Sequence, residues 1–160
     1  MISPLLDTLL DPKHIVLELH GRTAAEAVWE VVQLLHESGE LRKAKEFFDA
    51  VMEREGKSST VANGVIAFPH ARTELVDELV LGIGRSRAGV TFRGSAEPVR
   101  LIFVIAVPQR MVNDYLICVG ALARLLNDEK RREALLTAST PAEFLDRLRA
   151  PGVKCTDEPW

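Results

Sequence analysis

Apolar positions along this chain switch repeatedly between helical and strand spacing, a pattern that predicts an α/β protein. His14-Ile15-Val16-Leu17-Glu18-Leu19 reads as a first strand. Thr23-Ala24-Ala25-Glu26 is a capping box that opens a helix with Val28, Val31, Val32 and Leu35 on one face, and Gly39 stops it. A second helix is expected from about Leu41 to Glu55, packing Ala44, Phe47, Phe48 and Val51 and ended by Gly56, which places Arg54 in its last turn. Ile66-Ala67-Phe68 and Leu79 to Ile83 read as strands. Val99 to Val107 is so continuously apolar that it is expected to be a central strand covered on both faces. Arg87-Ala88-Gly89 and Arg93-Gly94-Ser95 read as turns between those last two. Asn113 is expected to cap a helix that buries Leu116, Val119, Ala123 and Leu126, and Asp128 to open the next. Thr140-Pro141-Ala142-Glu143 combines a capping residue, a first-turn proline and a reciprocal glutamate at the head of a last helix through Leu148.

Composition narrows the class. A chain of 160 residues with 47% hydrophobic content is long enough for one core, so one domain is expected over residues 1–150, with a tail at 151–160. The formal charge of −3 leaves no electrostatic footprint for nucleic acid. Arg42-Lys43-Ala44-Lys45 and Lys130-Arg131-Arg132 read as solvated helix faces. The start, Met1 to Leu5, lacks the charged and then apolar stretch of a secretory signal, and the apolar run Leu101 to Val107 is far too short to span a bilayer. A cytoplasmic location is the expectation. Cys118 and Cys155 have no metal or redox spacing and read as inert thiols. Gly82-Ile83-Gly84-Arg85-Ser86-Arg87 begins like a dinucleotide loop but carries Arg87 at the third glycine position. His14, His20 and His36 have no mutual ligand spacing, so no metal or other cofactor is expected.

The chemistry concentrates at Gly64-Val65-Ile66-Ala67-Phe68-Pro69-His70-Ala71-Arg72. The residue before a proline is pushed to extended geometry, and the proline fixes its own backbone angle, so His70 is expected at the end of a strand, beside a loop and with little freedom. An imidazole is largely a neutral nucleophile near neutral pH, which suits phosphoryl acceptance. The polar loop Gly56 to Asn63 precedes it with hydroxyl, amide and cationic donors, and an arginine with neutral donors can hold a phosphorylated imidazole through charge-assisted hydrogen bonds.

Arg54-Glu55, Ser59-Thr60 and Ile66-Ala67-Phe68-Pro69-His70-Ala71-Arg72 together resemble the enzyme IIA domain of the fructose/mannitol type in the bacterial phosphoenolpyruvate-dependent phosphotransferase system, including its nitrogen-regulatory branch. Gly89-Val90-Thr91-Phe92, Pro98 to Phe103, Val107-Pro108 and Leu122 to Leu126 continue the resemblance in order, and it covers Ile2 to about Leu148. The resemblance implies a three-layer α/β/α sandwich with a mixed sheet. It also implies a phosphoryl group accepted on His70 from the histidine-containing phosphocarrier protein, with Arg54 in the same site. Ser59, Thr60, Asn63 and Tyr115 are the further candidates to hold the phosphoryl oxygens. The free-standing regulatory type is the expected one, with a sugar-transport IIA that passes phosphate to a IIB component as the alternative and a non-phosphorylated binding module as the third reading. Two positions depart from the family pattern. Glycines that commonly alternate through residues 61–65 are here Val61, Asn63 and Val65, and Tyr115 stands where members tend to have a second active-site histidine.

Overall fold

Ten residues of strand form the spine of the molecule. The computed structural model describes residues 2–151, so Cys155 and all of the expected tail but Pro151 lie outside the described residues. The central strand β6 runs Val99–Pro108, as its unbroken apolar sequence predicts. Leu101, Phe103, Ile105 and Val107 point into one hydrophobic cluster, whereas Ile102, Val104 and Ala106 point into the other. That period of two puts a helix layer on each side.

On one face lie α2 (Ala24–Glu37) and α3 (Ala44–Lys57). The other face carries α1 (Pro4–Leu9), α4 (Val112–Leu126), α5 (Glu129–Thr137) and α6 (Pro141–Arg149). Between them the sheet runs in the order β1 (Ile15–Val16), β5 (Val80–Val90), β6, β3 (Ile66–Ala67), β2 (Val61–Ala62). A further segment, β4 (His70–Thr73), also pairs with β6. The sheet is mixed: β5 is antiparallel to β6, and β3 and β4 are parallel to it.

Three helix starts follow their sequence signals. Thr23 and Glu26 close a reciprocal capping box, and Asp128 accepts from the Lys130 amide. Thr140 Oγ1 accepts from the Glu143 amide at 3.0 Å, while the Glu143 carboxylate reaches back one residue further than expected, accepting from the Ser139 amide at 2.6 Å. Gly39, at φ +83°, ends α2. Packing of α2 depends on two bare positions in β5. A Cβ on Gly82 would stand 2.7 Å from Val31 Cγ1, and one on Gly84 would stand 2.9 Å from Val31 Cγ2.

Several expected boundaries move. The first strand shrinks to Ile15–Val16 because His14 belongs to a single 3-10 turn opened by Pro12. Helix α3 starts at Ala44, after Lys43 takes a left-handed conformation, and runs through Gly56 to Lys57. The expected turn at Arg87-Ala88-Gly89 is instead an irregularity within β5, with Gly89 at φ +94°. Asn113 lies inside α4, not at its cap. That helix buries Cys118, Ala121, Leu122 and Leu126, and leaves Leu116 and Ala123 exposed. Its sequence is apolar on more than one side, so periodicity admits two faces and the sheet selects one.

The buried Arg85 has no place in a dinucleotide loop. It donates from Nε to the Leu17 carbonyl at 3.1 Å, and from one terminal nitrogen to the Leu135 and Ala138 carbonyls at 2.9 and 2.7 Å. One cation thereby ties β5 to the chain after β1 and to the end of α5, where carbonyls lack intrahelical donors. Among the described residues no helix is long and apolar enough to cross a membrane.

Candidate functional site

The proline after Phe68 interrupts a strand without ending it. β3 stops at Ala67, and β4 resumes at His70, in register with Ile105 of the same central strand. The Ile105 amide donates to the Pro69 carbonyl at 3.0 Å, which holds the two segments collinear. His70 is thus the first residue of a strand, not a strand end beside a loop. Proline imposes the break because it has no amide to offer the ladder.

The ring of His70 is oriented by its own chain. Nδ1 lies 2.9 Å from the Phe68 carbonyl oxygen. A carbonyl only accepts, so Nδ1 carries the proton and Nε2 presents a lone pair. Tyr115, on α4, places its Oη 3.1 Å from Nε2 and 3.2 Å from Nδ1, with the two rings 4.7 Å apart between centroids. Burial holds the His70 pKa below its usual 6.5, and the positive charge of Arg54 adds to the effect; the Phe68 hydrogen bond and the Glu55 carboxylate act in the opposite sense. Burial likewise raises the Tyr115 phenol above its usual 10.0, against the pull of Arg54. Both groups are therefore neutral at neutral pH.

His70 and Tyr115 line an open cleft of about 580 Å³, together with Arg54, Lys57 and Arg72. Glu53 is the one carboxylate on its wall, so the cleft favours an anion. Arg54 comes from the last turn of α3, donates from Nη1 to the Ser58 carbonyl at 3.0 Å and lines the cleft. Arg72 follows His70 by two positions in β4 and so shares its side of the strand. Lys57 enters the sequence reasoning only as the cation of the polar loop and Arg72 only as part of the motif around His70, although the period of two from His70 carries the signal for Arg72.

The remaining candidates lie around this cleft, not on its wall. Thr60 Oγ1 donates to Glu55 Oε1 at 2.7 Å and accepts from the Phe68 amide at 3.2 Å, so its hydroxyl is engaged on both sides. Ser59 Oγ accepts from the Val61 amide at 3.2 Å. Asn63 lines a separate cavity with Glu97 and Arg132. Its φ of +55°, followed by +75° at Gly64, makes the tight connection between β2 and β3. Asparagine and glycine tolerate that left-handed geometry, which accounts for the pair at this point of the chain.

Residues 8–150 match the family model described as phosphoenolpyruvate-dependent sugar phosphotransferase system, EIIA 2. The fructose-specific EIIA component of Haloferax volcanii is 31% identical over 144 residues, covering 89% of this chain and 94% of that protein. The fructose-specific EIIABC component of Bacillus subtilis is 31% identical over 139 residues; the match covers 86% of this chain but spans only 22% of that longer protein. The crystal structure of nitrogen regulatory protein IIA-Ntr from Neisseria meningitidis superposes with a TM-score of 0.80 at 29% identity, covering 90% of this chain and 99% of that one.

Proposed function

The chain belongs to the phosphoenolpyruvate-dependent sugar phosphotransferase system EIIA 2 family, and from that premise we propose that it is a cytoplasmic phosphoryl carrier whose acceptor atom is Nε2 of His70. The observation that carries the proposal is the Nδ1 hydrogen bond to the Phe68 carbonyl, which leaves Nε2 unprotonated in a cationic cleft. The donor is the phosphohistidine of the histidine-containing phosphocarrier protein. Nε2 attacks phosphorus in line, the donor's P–N bond breaks as the new one forms, and the donor ring, protonated on its other nitrogen, leaves as the neutral imidazole. The product ring carries phosphorus on Nε2 and a proton on Nδ1. Its positive charge is relieved by the Phe68 carbonyl.

Arg54 is assigned the charge on the phosphoryl oxygens, with Tyr115 Oη as a neutral donor. The open cleft also brings Lys57 and Arg72 to the incoming anion. Such fixed donors supply the stabilisation that phosphoryl transfer requires. Ser59, Thr60 and Asn63 take no direct phosphate contact in this scheme, since each serves the loop that supports His70.

The regulatory branch is the role proposed downstream. A phenol cannot become a cation near neutral pH, so Tyr115 gives less charge stabilisation than an imidazole would, and slow exchange suits a signal better than a transport relay. The transport reading is favoured by the two fructose-specific relatives at 31% identity. Intact-mass measurement after incubation with phosphoenolpyruvate and the upstream phosphotransfer proteins tests the carrier itself: one acid-labile phosphoryl group is expected, absent in His70→Ala, and no incorporation would overturn it. Adding a fructose-type IIB component then separates the roles. A phosphorylated protein that persists supports regulation, and rapid discharge supports transport.

A further inference from the structure

A chain of hydrogen bonds connects a buried carboxylate to the acceptor imidazole. Glu55, 8% exposed, closes α3 on the inner side of the loop that leads to β2. Its Oε2 accepts from the Thr60 amide at 3.0 Å, and its Oε1 accepts from the Thr60 hydroxyl at 2.7 Å. Both carboxylate oxygens are thus spent on one residue. Thr60 passes the constraint on: its Oγ1 and its carbonyl each accept from the Phe68 amide at 3.2 Å. On the far side of Phe68 the Pro69 carbonyl is held by the Ile105 amide at 3.0 Å. Phe68 is therefore pinned before and after its own carbonyl, the group that takes the Nδ1 proton of His70.

Tyr115 cannot select the tautomer in its place. Its hydroxyl is 3.1 Å from one ring nitrogen and 3.2 Å from the other, and a phenol both donates and accepts. It serves either tautomer equally. With Nδ1 released, the ring is free to carry its proton on Nε2, and the nucleophilic lone pair then lies on Nδ1.

We infer that Glu55 and Thr60 are positioning residues, which act through Phe68 to keep His70 in the tautomer with Nε2 free. Neither touches the reacting atoms. The inference concerns regulation of the same acceptor atom and so rests on the carrier reading above, but its primary readout does not.

The test uses the full chain labelled with 15N in histidine. Nitrogen chemical shifts of His70 report the tautomer at a pH where the ring is neutral, and phosphorylation by the upstream proteins is timed in parallel. Thr60→Val keeps the shape and removes the hydroxyl, Thr60→Ser keeps the hydroxyl, and Glu55→Gln keeps the volume but offers a single acceptor. The wild-type ring is expected to be protonated on Nδ1. Thr60→Val and Glu55→Gln are expected to give mixed tautomers and transfer slowed about three- to tenfold, the range set by one lost neutral hydrogen bond, with Thr60→Ser near wild type. A wild-type tautomer in both Thr60→Val and Glu55→Gln, with or without slower transfer, would overturn the inference and leave the two residues a structural role. A mixed tautomer with an unchanged rate would also overturn it. If Glu55→Gln fails to fold, the Thr60 pair decides alone. If the wild type takes no phosphoryl group the carrier reading fails, while the tautomer comparison still decides whether Glu55 and Thr60 set the ring.

Discussion

Tyr115 Oη stands 3.1 Å from His70 Nε2 and 3.2 Å from Nδ1, beside the acceptor nitrogen but in line with the lone pair of neither. A donor so placed faces an oxygen of a phosphoryl group carried on Nε2. Loss of that neutral hydrogen bond in Tyr115→Phe is expected to cost about 0.5–1.5 kcal/mol in the transition state. Tyr115→His is expected to speed transfer or lengthen the lifetime of phosphorylated His70, with the gain fading between about pH 6 and 8 as the new imidazole loses its charge. Transfer rates and phosphohistidine lifetimes across that range decide the point. A flat profile equal to wild type would reduce Tyr115 to packing.

Arg54 acts on the site through charge. Arg54→Ala removes a charge-assisted contact worth about 1.5–3 kcal/mol, a loss of about one to two decades in rate. Arg54→Lys restores part of it, because an ammonium lacks the planar fork. The same Arg54→Ala change should raise the His70 pKa, since the guanidinium now holds it down. Titration of the His70 ring and timed phosphorylation measure both effects, and unchanged values in both would leave Arg54 a helix-end residue only.

Acid should silence the acceptor. Because burial keeps the folded His70 pKa below 6.5, the unfolded chain takes up the proton first as the pH falls. The contribution to stability is fully present above about pH 6.5 and is lost on acidification through the folded pKa. Transfer is expected to be level from about pH 7 to 8 and to fall below the folded pKa, where Nε2 becomes protonated. An NMR titration midpoint for His70 above the ordinary histidine value would contradict this.

The seat of α2 on the sheet predicts a stability effect at residues that do not line the cleft. Gly82→Ala would drive a methyl to 2.7 Å from Val31 Cγ1, and overpacking of that kind costs about 1–3 kcal/mol. Chemical denaturation should detect the loss, with the tautomer of His70 unchanged. Wild-type stability would mean that α2 shifts freely on β5.

Local signals reached far into the fold. The alternation from Leu101 to Val107 revealed a strand covered on both sides, and Thr23, Asp128 and Thr140 announced their helices. Where the chain has two apolar faces, as in α4, only the sheet decides which is buried, so Leu116, expected in the core, is exposed. His70 is legible because a histidine behind a proline is chemically distinctive, and Arg54 because the family resemblance places it in the same site; both line the cleft. The loop residues did not resolve the same way. Ser59, Thr60 and Asn63 have the donors a phosphate needs, but those donors are also what a loop uses to satisfy its own backbone, and the second use is the one their hydrogen bonds and φ values display. The link from Glu55 to His70 passes through contacts of Thr60 with Phe68, eight residues apart, that no spacing rule encodes.

The central claim concerns one atom, and one spectrum addresses it directly. In the protein labelled with 15N in histidine and phosphorylated by the upstream phosphotransfer proteins, two-dimensional 1H–15N correlations identify the ring nitrogen bonded to phosphorus. The account predicts phosphorus on Nε2 of His70 and a proton on Nδ1, still donated to the Phe68 carbonyl. Phosphorus on Nδ1, on His14, His20 or His36, or on no histidine at all would contradict it.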